Sequence, residues 1–360
     1  MKKQEVVYVG MSGGVDSSVA AALLKDQGYS VVGVYMKNWT RDVGGFDCPW
    51  REDLQDAKRT AMKLKIDFKV FDFQKQYKQK VVDYMIDEYQ AGRTPNPDIM
   101  CNREIKFKLF LDTALANGAD LIATGHYAKV AVSGQQLAVS YELHAAVDKI
   151  KDQTYFLYRV IAGALKKTIF PIGGFKTKDE VRALAKKFGL PTAGKKDSQG
   201  ICFVGEVGIK DFLSQYAKTE TGPIIDDKGG QIGEHDGAIF YTIGQRHGLS
   251  VGGGLPYYVT RKDMKTNTVY VTTDLSDKNL WGKEIQLEDI HWINPRNTKY
   301  EIQNTSLKVR LRYRGPLIDC ELKDQKLVLK QEQRAISPGQ SAVFYQNDQC
   351  LGGGIISSVD

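Results

Sequence analysis

The sequence predicts three successive units. These are an α/β domain with a parallel sheet covered by helices over 1–215, a small β-rich central domain over 216–280 and a C-terminal β-barrel over 281–360. Three observations carry this reading. Short apolar runs alternate with stretches of helical periodicity through the first half, as in a parallel sheet covered on both faces. A glycine turn, Ser12-Gly13-Gly14, joins the first apolar run to the first helical stretch. Beyond residue 220, β-branched and aromatic runs are broken by Gly, Asp and Asn, as in Asp226-Asp227-Lys228-Gly229-Gly230. That spacing favours all-β modules.

The elements follow in order. Val6 to Met11 reads as a buried strand, and the helix opening at Ser18-Val19-Ala20 stops at Gly28. Tyr29 to Met36 reads as a second strand. Glu52 to Leu64 reads as a helix with Leu54, Ala57, Ala61 and Leu64 along one face. Phe68 to Phe73 is a predicted strand, followed by predicted helices over Tyr77 to Tyr89 and Asn102 to Asn117. A fourth strand, Asp120 to Thr124, runs into Gly125-His126-Tyr127. Ligands in such folds sit at the C-terminal ends of strands, where Ser12, Met36 and Gly125 fall. Tyr155 to Leu165 is a predicted helix. Another opens on the capping box Thr177-Lys178-Asp179-Glu180 and stops at Gly189, and Lys210 to Tyr216 is a third.

Composition narrows the class. The chain has 360 residues, is 42% apolar and carries a net charge of +7, which favours a polyanionic partner. Cys48, Cys101, Cys202, Cys320 and Cys350 form no Cys-x-x-Cys pair. An odd count of scattered cysteines argues for free thiols in a reducing cytoplasm, not for a disulfide scaffold or a zinc site. The N-terminal apolar run is too short for a signal peptide, and no run approaches the ~18 residues of a membrane span. A cytoplasmic protein with no membrane partner is expected.

Chemistry concentrates first in the loop after the first strand. A strand, a glycine turn and a helix N-terminus form an anion site, because unpaired N–H groups and the helix dipole converge there. The loop lacks the Gly-Lys-Ser/Thr ending of a Walker A motif. It resembles the pyrophosphate loop of ATP pyrophosphatases, which cleave ATP between the α and β phosphates; the plainer reading is an ordinary tight turn. Asp16 can cap the helix or hold a Mg²⁺ that bridges phosphates, and the sequence leaves both open.

Three further segments have reactive or charged side chains. Cys101 follows Asn96-Pro97-Asp98-Ile99-Met100 at a predicted helix start, where the dipole favours a thiolate and Asp98 is within reach as general acid or base. The alternative is a small buried hydrophobe beside a capping carboxylate. Cys202 lies between Gly200 and Gly205, in a loop suited to a thiol that meets more than one partner. In Leu307-Lys308-Val309-Arg310-Leu311-Arg312-Tyr313-Arg314 the cations recur every second residue. On a strand they share one face, able to follow a phosphate backbone or to form a solvated outer surface.

Taken together, these segments resemble the tRNA-specific 2-thiouridylase family. The marks are Gly10-Met11-Ser12-Gly13-Gly14-Val15-Asp16-Ser17, Asn96-Pro97-Asp98, Cys101-Asn102, Gly125-His126-Tyr127, Lys151-Asp152-Gln153, Gly200-Ile201-Cys202-Phe203 and Tyr241-Thr242-Ile243-Gly244-Gln245-Arg246. They span nearly the whole chain. The resemblance implies a pyrophosphatase-type α/β domain of the adenine nucleotide alpha hydrolase kind. It further implies an enzyme that adenylates C2 of the tRNA wobble uridine with ATP and replaces the oxygen by sulfur. Loop 10–17, Met36 and Gly125 would hold ATP. Asn96, Pro97, Asp98 and His126 would contact the base, and Lys151, Asp152, Gln153, Arg312, Tyr313 and Gln340 the tRNA. Cys202 would carry sulfur as a persulfide, Cys101 would be its partner in a transient disulfide, and Asp98 would move protons. A cysteine desulfurase or sulfur relay protein would supply the sulfur.

Several alternatives remain open. Without the resemblance, His126 also reads as a strand-end polar residue and Lys151-Asp152-Gln153 as a charged turn before a helix. Asp98, Cys101 and Cys202 can alternatively ligate an iron–sulfur cluster. The rival functions are a pyrophosphatase-type ligase for a small molecule and a nucleotide-gated RNA-binding protein without turnover.

Overall fold

In the computed structural model of the chain, residues 4–42, 48–134, 139–196, 208–217, 219–249, 251–252, 254, 256–295 and 306–360 are described. The first sheet contains β1 (Val6–Gly10), β2 (Ser30–Lys37), β3 (Asp67–Asp72), β4 (Leu121–Thr124) and β7 (Thr168–Ile169). All pairings are parallel, in the order β3-β2-β1-β4-β7. Alternate residues of the central strands serve opposite layers. Val7 and Val9 join Val19, Ala57 and Val181, from the helices Val15–Asp26, Trp50–Leu64 and Lys178–Lys187. Tyr8, Val32 and Val34 join Val81 and Phe110, from the helical stretches 74–90 and 97–116. Both faces are therefore covered, as the alternating sequence pattern requires. The two stretches 74–90 and 97–116 each contain a π-helical section, Lys78–Val82 and Cys101–Phe110.

A hairpin the sequence reading did not anticipate, β5 (Ala128–Ser133) and β6 (Ser140–Ala145), leaves this domain directly after β4. The small central sheet holds β8 (Gly222–Ile225), β9 (Gln231–His235), β10 (Tyr258–Asp263) and β11 (Thr268–Thr272), in the order β10-β11-β8-β9. Its core is Ile224, Val259, Val269 and Val271 under Tyr241 and Leu249. The C-terminal unit comprises β12 (Trp281–Trp292), β13 (Lys308–Arg310), β14 (Ile318–Lys323), β15 (Lys326–Arg334), β16 (Ser341–Gln346) and β17 (Gln349–Val359). In the order β12-β15-β14-β13-β16-β17 these six strands close through a β12–β17 pairing. The β5–β6 hairpin continues the barrel sheet, with Gln349 opposite His144 and Cys350 opposite Leu143.

Two expected elements are shorter than the sequence pattern suggests. Tyr155 to Leu165 is not one helix but two single turns, Thr154–Leu157 and Ala162–Leu165. Between them Ile161 is extended, and the N–H of Ala162 donates to Ile293 O of the barrel. The break lets Arg159 reach Asp289 at 2.7 Å. The alternating basic segment 307–314 is a strand only over Lys308–Arg310, after which the chain turns through Arg312, Arg314 in the left-handed region, and Gly315. Its four cations therefore do not share one strand face. Lys308 pairs with Asp319, and Arg310 is turned inward onto Asp152.

Candidate active site

The strands β1 and β4 end level with one another, Gly10 being opposite Thr124, while β2 passes Gly10 at Val34 and runs on to Lys37. The glycine loop leaves this edge and enters the Val15–Asp26 helix through Gly14, which caps it without a side-chain bond. Ser17 Oγ accepts from Ser12 N–H at 3.2 Å, and Ser18 Oγ donates to Gly14 O at 2.8 Å, so two hydroxyls brace the turn. Gly13 has φ +78°, and a Cβ there would stand 2.4 Å from Asp53 O. A Cβ on Gly125 would lie 2.6 Å from Ser17 N. The loop is pinched between the Trp50–Leu64 helix and the end of β4, and only glycine fits on either side. Met36 is half-buried, its methyl 3.0 Å from where a Gly10 Cβ would be.

Asp16 is engaged by side chains from distant parts of the chain. Both its carboxylate oxygens accept from Lys178 Nζ at 2.7 Å, and Oδ1 also accepts from the Tyr127 hydroxyl at 3.0 Å. It does not cap the helix. A Mg²⁺ ligated here would have to displace the ammonium group of Lys178, so the donor set does not fit a resident metal.

A second group of polar side chains sits on the 97–116 helix. Pro97 is its first residue, a position where a missing N–H costs nothing. Burial raises the Asp98 carboxyl above the ordinary carboxylate range, and the Lys106 charge partly offsets this. Cys101 is buried one turn into the helix, not at its start, so the dipole argument from sequence loses force. Its neighbour Asn102 is buried and donates to Phe156 O at 2.9 Å. His126 Nδ1 is 2.7 Å from Thr124 Oγ1, and its Nε2 is 3.4 Å from Lys106 Nζ. Its ring lies against Phe107 and edge-on to Phe170. Burial, reinforced by Lys106, holds its pKa well below 6.5, so the imidazole is neutral. With an ammonium donor facing Nε2, the ring proton belongs on Nδ1, pointing at Thr124.

Whole-chain comparison decides the family. Residues 5–206 match the family described as tRNA methyl transferase HUP domain, 210–273 its PRC-barrel domain and 282–356 the aminomethyltransferase beta-barrel domain. A protein named tRNA-specific 2-thiouridylase MnmA from Bacillus cytotoxicus is 46% identical over 357 residues, covering 98% of this chain and 95% of that protein. Its namesake from Geobacillus thermodenitrificans is 46% identical over 359 residues, with the same coverage. The chain belongs to the tRNA-specific 2-thiouridylase family. Among solved structures, a 4-thiouridine synthetase–RNA complex with bound ATP is 19% identical at TM-score 0.38, over 59% of this chain and 50% of that one. NMN synthetase from Francisella tularensis is 16% identical at TM-score 0.33, over 57% and 69%. Likenesses at this level carry no argument about function.

The other residues that the family resemblance singles out are placed unevenly. Cys202, with the rest of 197–207, lies outside the described residues. An iron–sulfur cluster on Asp98, Cys101 and Cys202 would depend on it, and among the described residues no three His, Cys, Asp or Glu side chains gather as a metal site. Asp152 is a structural group. It is 2% exposed, and its carboxylate accepts from Ala146 N–H, Thr154 N–H, Thr154 Oγ1 and Arg310, which leaves no surface for RNA. Its neighbours Lys151 and Gln153 are half-buried. Tyr313 packs on Phe156 at 4.4 Å, one hydrogen bond from the helix that carries Cys101, while Arg312 beside it is exposed. Gln340 Nε2 donates to Thr94 O, and Thr94 N–H donates to Pro338 O, tying the barrel to the loop before Asn96.

Sequence reasoning missed Lys106, Tyr127 and Lys178. Lys178 stood in plain view within the capping box. There Thr177 Oγ1 does accept from Glu180 N–H, but the lysine's other task appears only in three dimensions. Among the described residues no helix is long and apolar enough to cross a membrane.

Proposed function

We propose that the chain is a tRNA 2-thiouridylase that uses ATP to exchange the C2 oxygen of the wobble uridine for sulfur. Its full-length identity to proteins of that name carries the reading. Residues 1–215 form the catalytic unit, 216–280 the small central domain and 281–360 the tRNA-binding barrel. Mg-ATP seats its phosphates on loop 10–17, at the amides of the first helical turn, with Met36 near the adenine and Gly125 at the rim. Asn96, Pro97, Asp98 and His126 meet the target base. Lys151, Gln153, Arg312, Tyr313 and Gln340 meet the tRNA.

The uridine O2 attacks the α-phosphorus and expels pyrophosphate, while the Asp98 carboxylate, made a stronger base by burial, takes the proton from N3. Preorganised amides and the Lys106 charge stabilise the developing negative charge. The terminal sulfur of a Cys202 persulfide then attacks C2, and AMP leaves. Attack of the Cys101 thiolate on the Cys202 sulfur releases 2-thiouridine and closes a Cys101–Cys202 disulfide. An external thiol reduces it. A cysteine desulfurase or sulfur relay protein reloads Cys202, all within the cytoplasm.

The test combines protein, Mg-ATP, unmodified tRNA and a desulfurase with cysteine, followed by mass spectrometry of digested tRNA and counting of AMP. The expected result is one 2-thiouridine per AMP, lost in Cys202→Ala and Cys101→Ala. Activity that survives both substitutions would instead fit a pyrophosphatase-type enzyme without a thiol relay. Tight tRNA binding with no AMP in any mixture would fit a binding protein.

A further inference from the structure

Tyr127 takes no part in the steps above, yet it stands between the two halves of the site. Its ring is 2% exposed, just past the end of β4. Its main chain is bonded twice to Gln153: the Tyr127 N–H donates to Gln153 Oε1 at 2.9 Å, and the Gln153 N–H donates to Tyr127 O at 2.9 Å. Its hydroxyl donates to Asp16 Oδ1 at 3.0 Å in the first turn after the glycine loop. Asp152, next in the chain to Gln153, accepts from Arg310 on barrel strand β13 at 3.2 Å. A continuous polar path therefore runs from Arg310 through Asp152, Gln153 and Tyr127 to Asp16.

We propose that Tyr127 is a positioning residue that couples tRNA engagement at Lys151, Gln153 and the barrel to the orientation of the phosphate loop through Asp16. The proposal rests on the reading above, since one end of the path meets tRNA and the other ATP. Its physical basis is the charge on Asp16. A carboxylate in the first turn of the anion-binding helix opposes a triphosphate unless it is neutralised and turned away. Lys178 supplies the neutralising charge, and the Tyr127 hydroxyl fixes the direction. Because Tyr127 moves with the peptide that Gln153 clamps on both sides, ordering that segment on RNA orders the hydroxyl as well. By linkage, the factor by which tRNA tightens nucleotide binding must equal the factor by which nucleotide tightens tRNA binding.

Tyr127→Phe keeps the buried ring and removes only the hydroxyl. The experiment measures the dissociation constant of a non-cleavable α,β-methylene ATP with and without unmodified tRNA, and that of tRNA with and without the analogue. Wild type is expected to show a reciprocal coupling factor within about 5–150-fold, and Tyr127→Phe a factor near 1. A variant that retains the wild-type factor, or a wild type with no coupling, overturns the proposal. Should the variant fail to fold, amide hydrogen exchange on wild type decides: tRNA alone should slow exchange in 12–18, and an unchanged rate there overturns the proposal. Formation of 2-thiouridine by wild type separates the two levels. Its presence with uncoupled binding sinks this inference alone, whereas its absence sinks the functional reading.

Discussion

Replacing Gly125 by alanine inserts a methyl group where the structure has no room for one. The added Cβ would meet Ser17 N at 2.6 Å, Asp16 C at 2.7 Å and Ser17 Cα at 3.0 Å, against 3.4 Å or more for ordinary contact. All three atoms are backbone, so no side chain can swing aside. The first turn of the Val15–Asp26 helix must retreat from β4 by about 0.8 Å, the difference between contact and overlap. Overpacking of this kind costs roughly 1–3 kcal/mol, or about 2–4 °C of melting temperature per kcal/mol in a domain of this size. The functional loss should be larger than the loss of stability, because the atoms that move are the amides proposed to hold the phosphates. A misplacement near 1 Å costs on the order of 100-fold in rate. The assay is tRNA-dependent AMP release alongside thermal unfolding, with Gly174→Ala as the control, since nothing lies within 4 Å of a Cβ there. Gly125→Ala with wild-type AMP release would refute both the close-approach argument and the assignment of the loop.

Further outcomes follow from the same geometry. Arg310→Met leaves the buried Asp152 carboxylate without its cation and should lower stability by about 3 kcal/mol, the low end for a broken buried pair because three other donors remain; denaturant midpoints check this, and Asp152→Asn in the same chain should recover part of the loss. His291 is held down to about 4 by burial and then by Arg159 and Arg103. An unfolded chain therefore binds more protons than the native one between about pH 6.5 and that value, and stability should fall as pH drops through this window. His291→Asn should flatten the dependence in thermal melts from pH 7 to pH 4.5. Arg312 is exposed beside the stacked Tyr313, so Arg312→Ala should weaken tRNA binding and reduce the slope of log K against log salt by about 1. An unchanged slope removes Arg312 from the RNA surface.

What the sequence made legible is what local chemistry decides. The strands β1 to β4 and their covering helices follow from runs and periods a dozen residues long. The strand–turn–helix connection over 10–17 follows from a glycine turn legible within eight residues. The failures share one cause. Tyr155 to Leu165 has helical periodicity, but the barrel claims the Ala162 amide through Ile293 O and Arg159 through Asp289. The basic segment has a perfect strand period, but the strand ends at Arg310, which answers a buried carboxylate 158 residues away. Asp16 looked like a cap because Lys178, 162 residues on, is invisible to any local window. Tertiary partners, not propensities, fixed these residues.

The seam between β6 and β17 also bears on how the chain is made. Gln349 pairs with His144, so the β5–β6 hairpin emerges from the ribosome about 205 residues before its neighbour. At roughly 5–20 residues per second that is a wait of about 10–40 s with one strand edge exposed. Unpaired edges invite association with other chains. The N-terminal unit thus covers that strand edge only when the last strand arrives. A truncation that spares every catalytic residue but ends before 349 would leave that edge bare permanently.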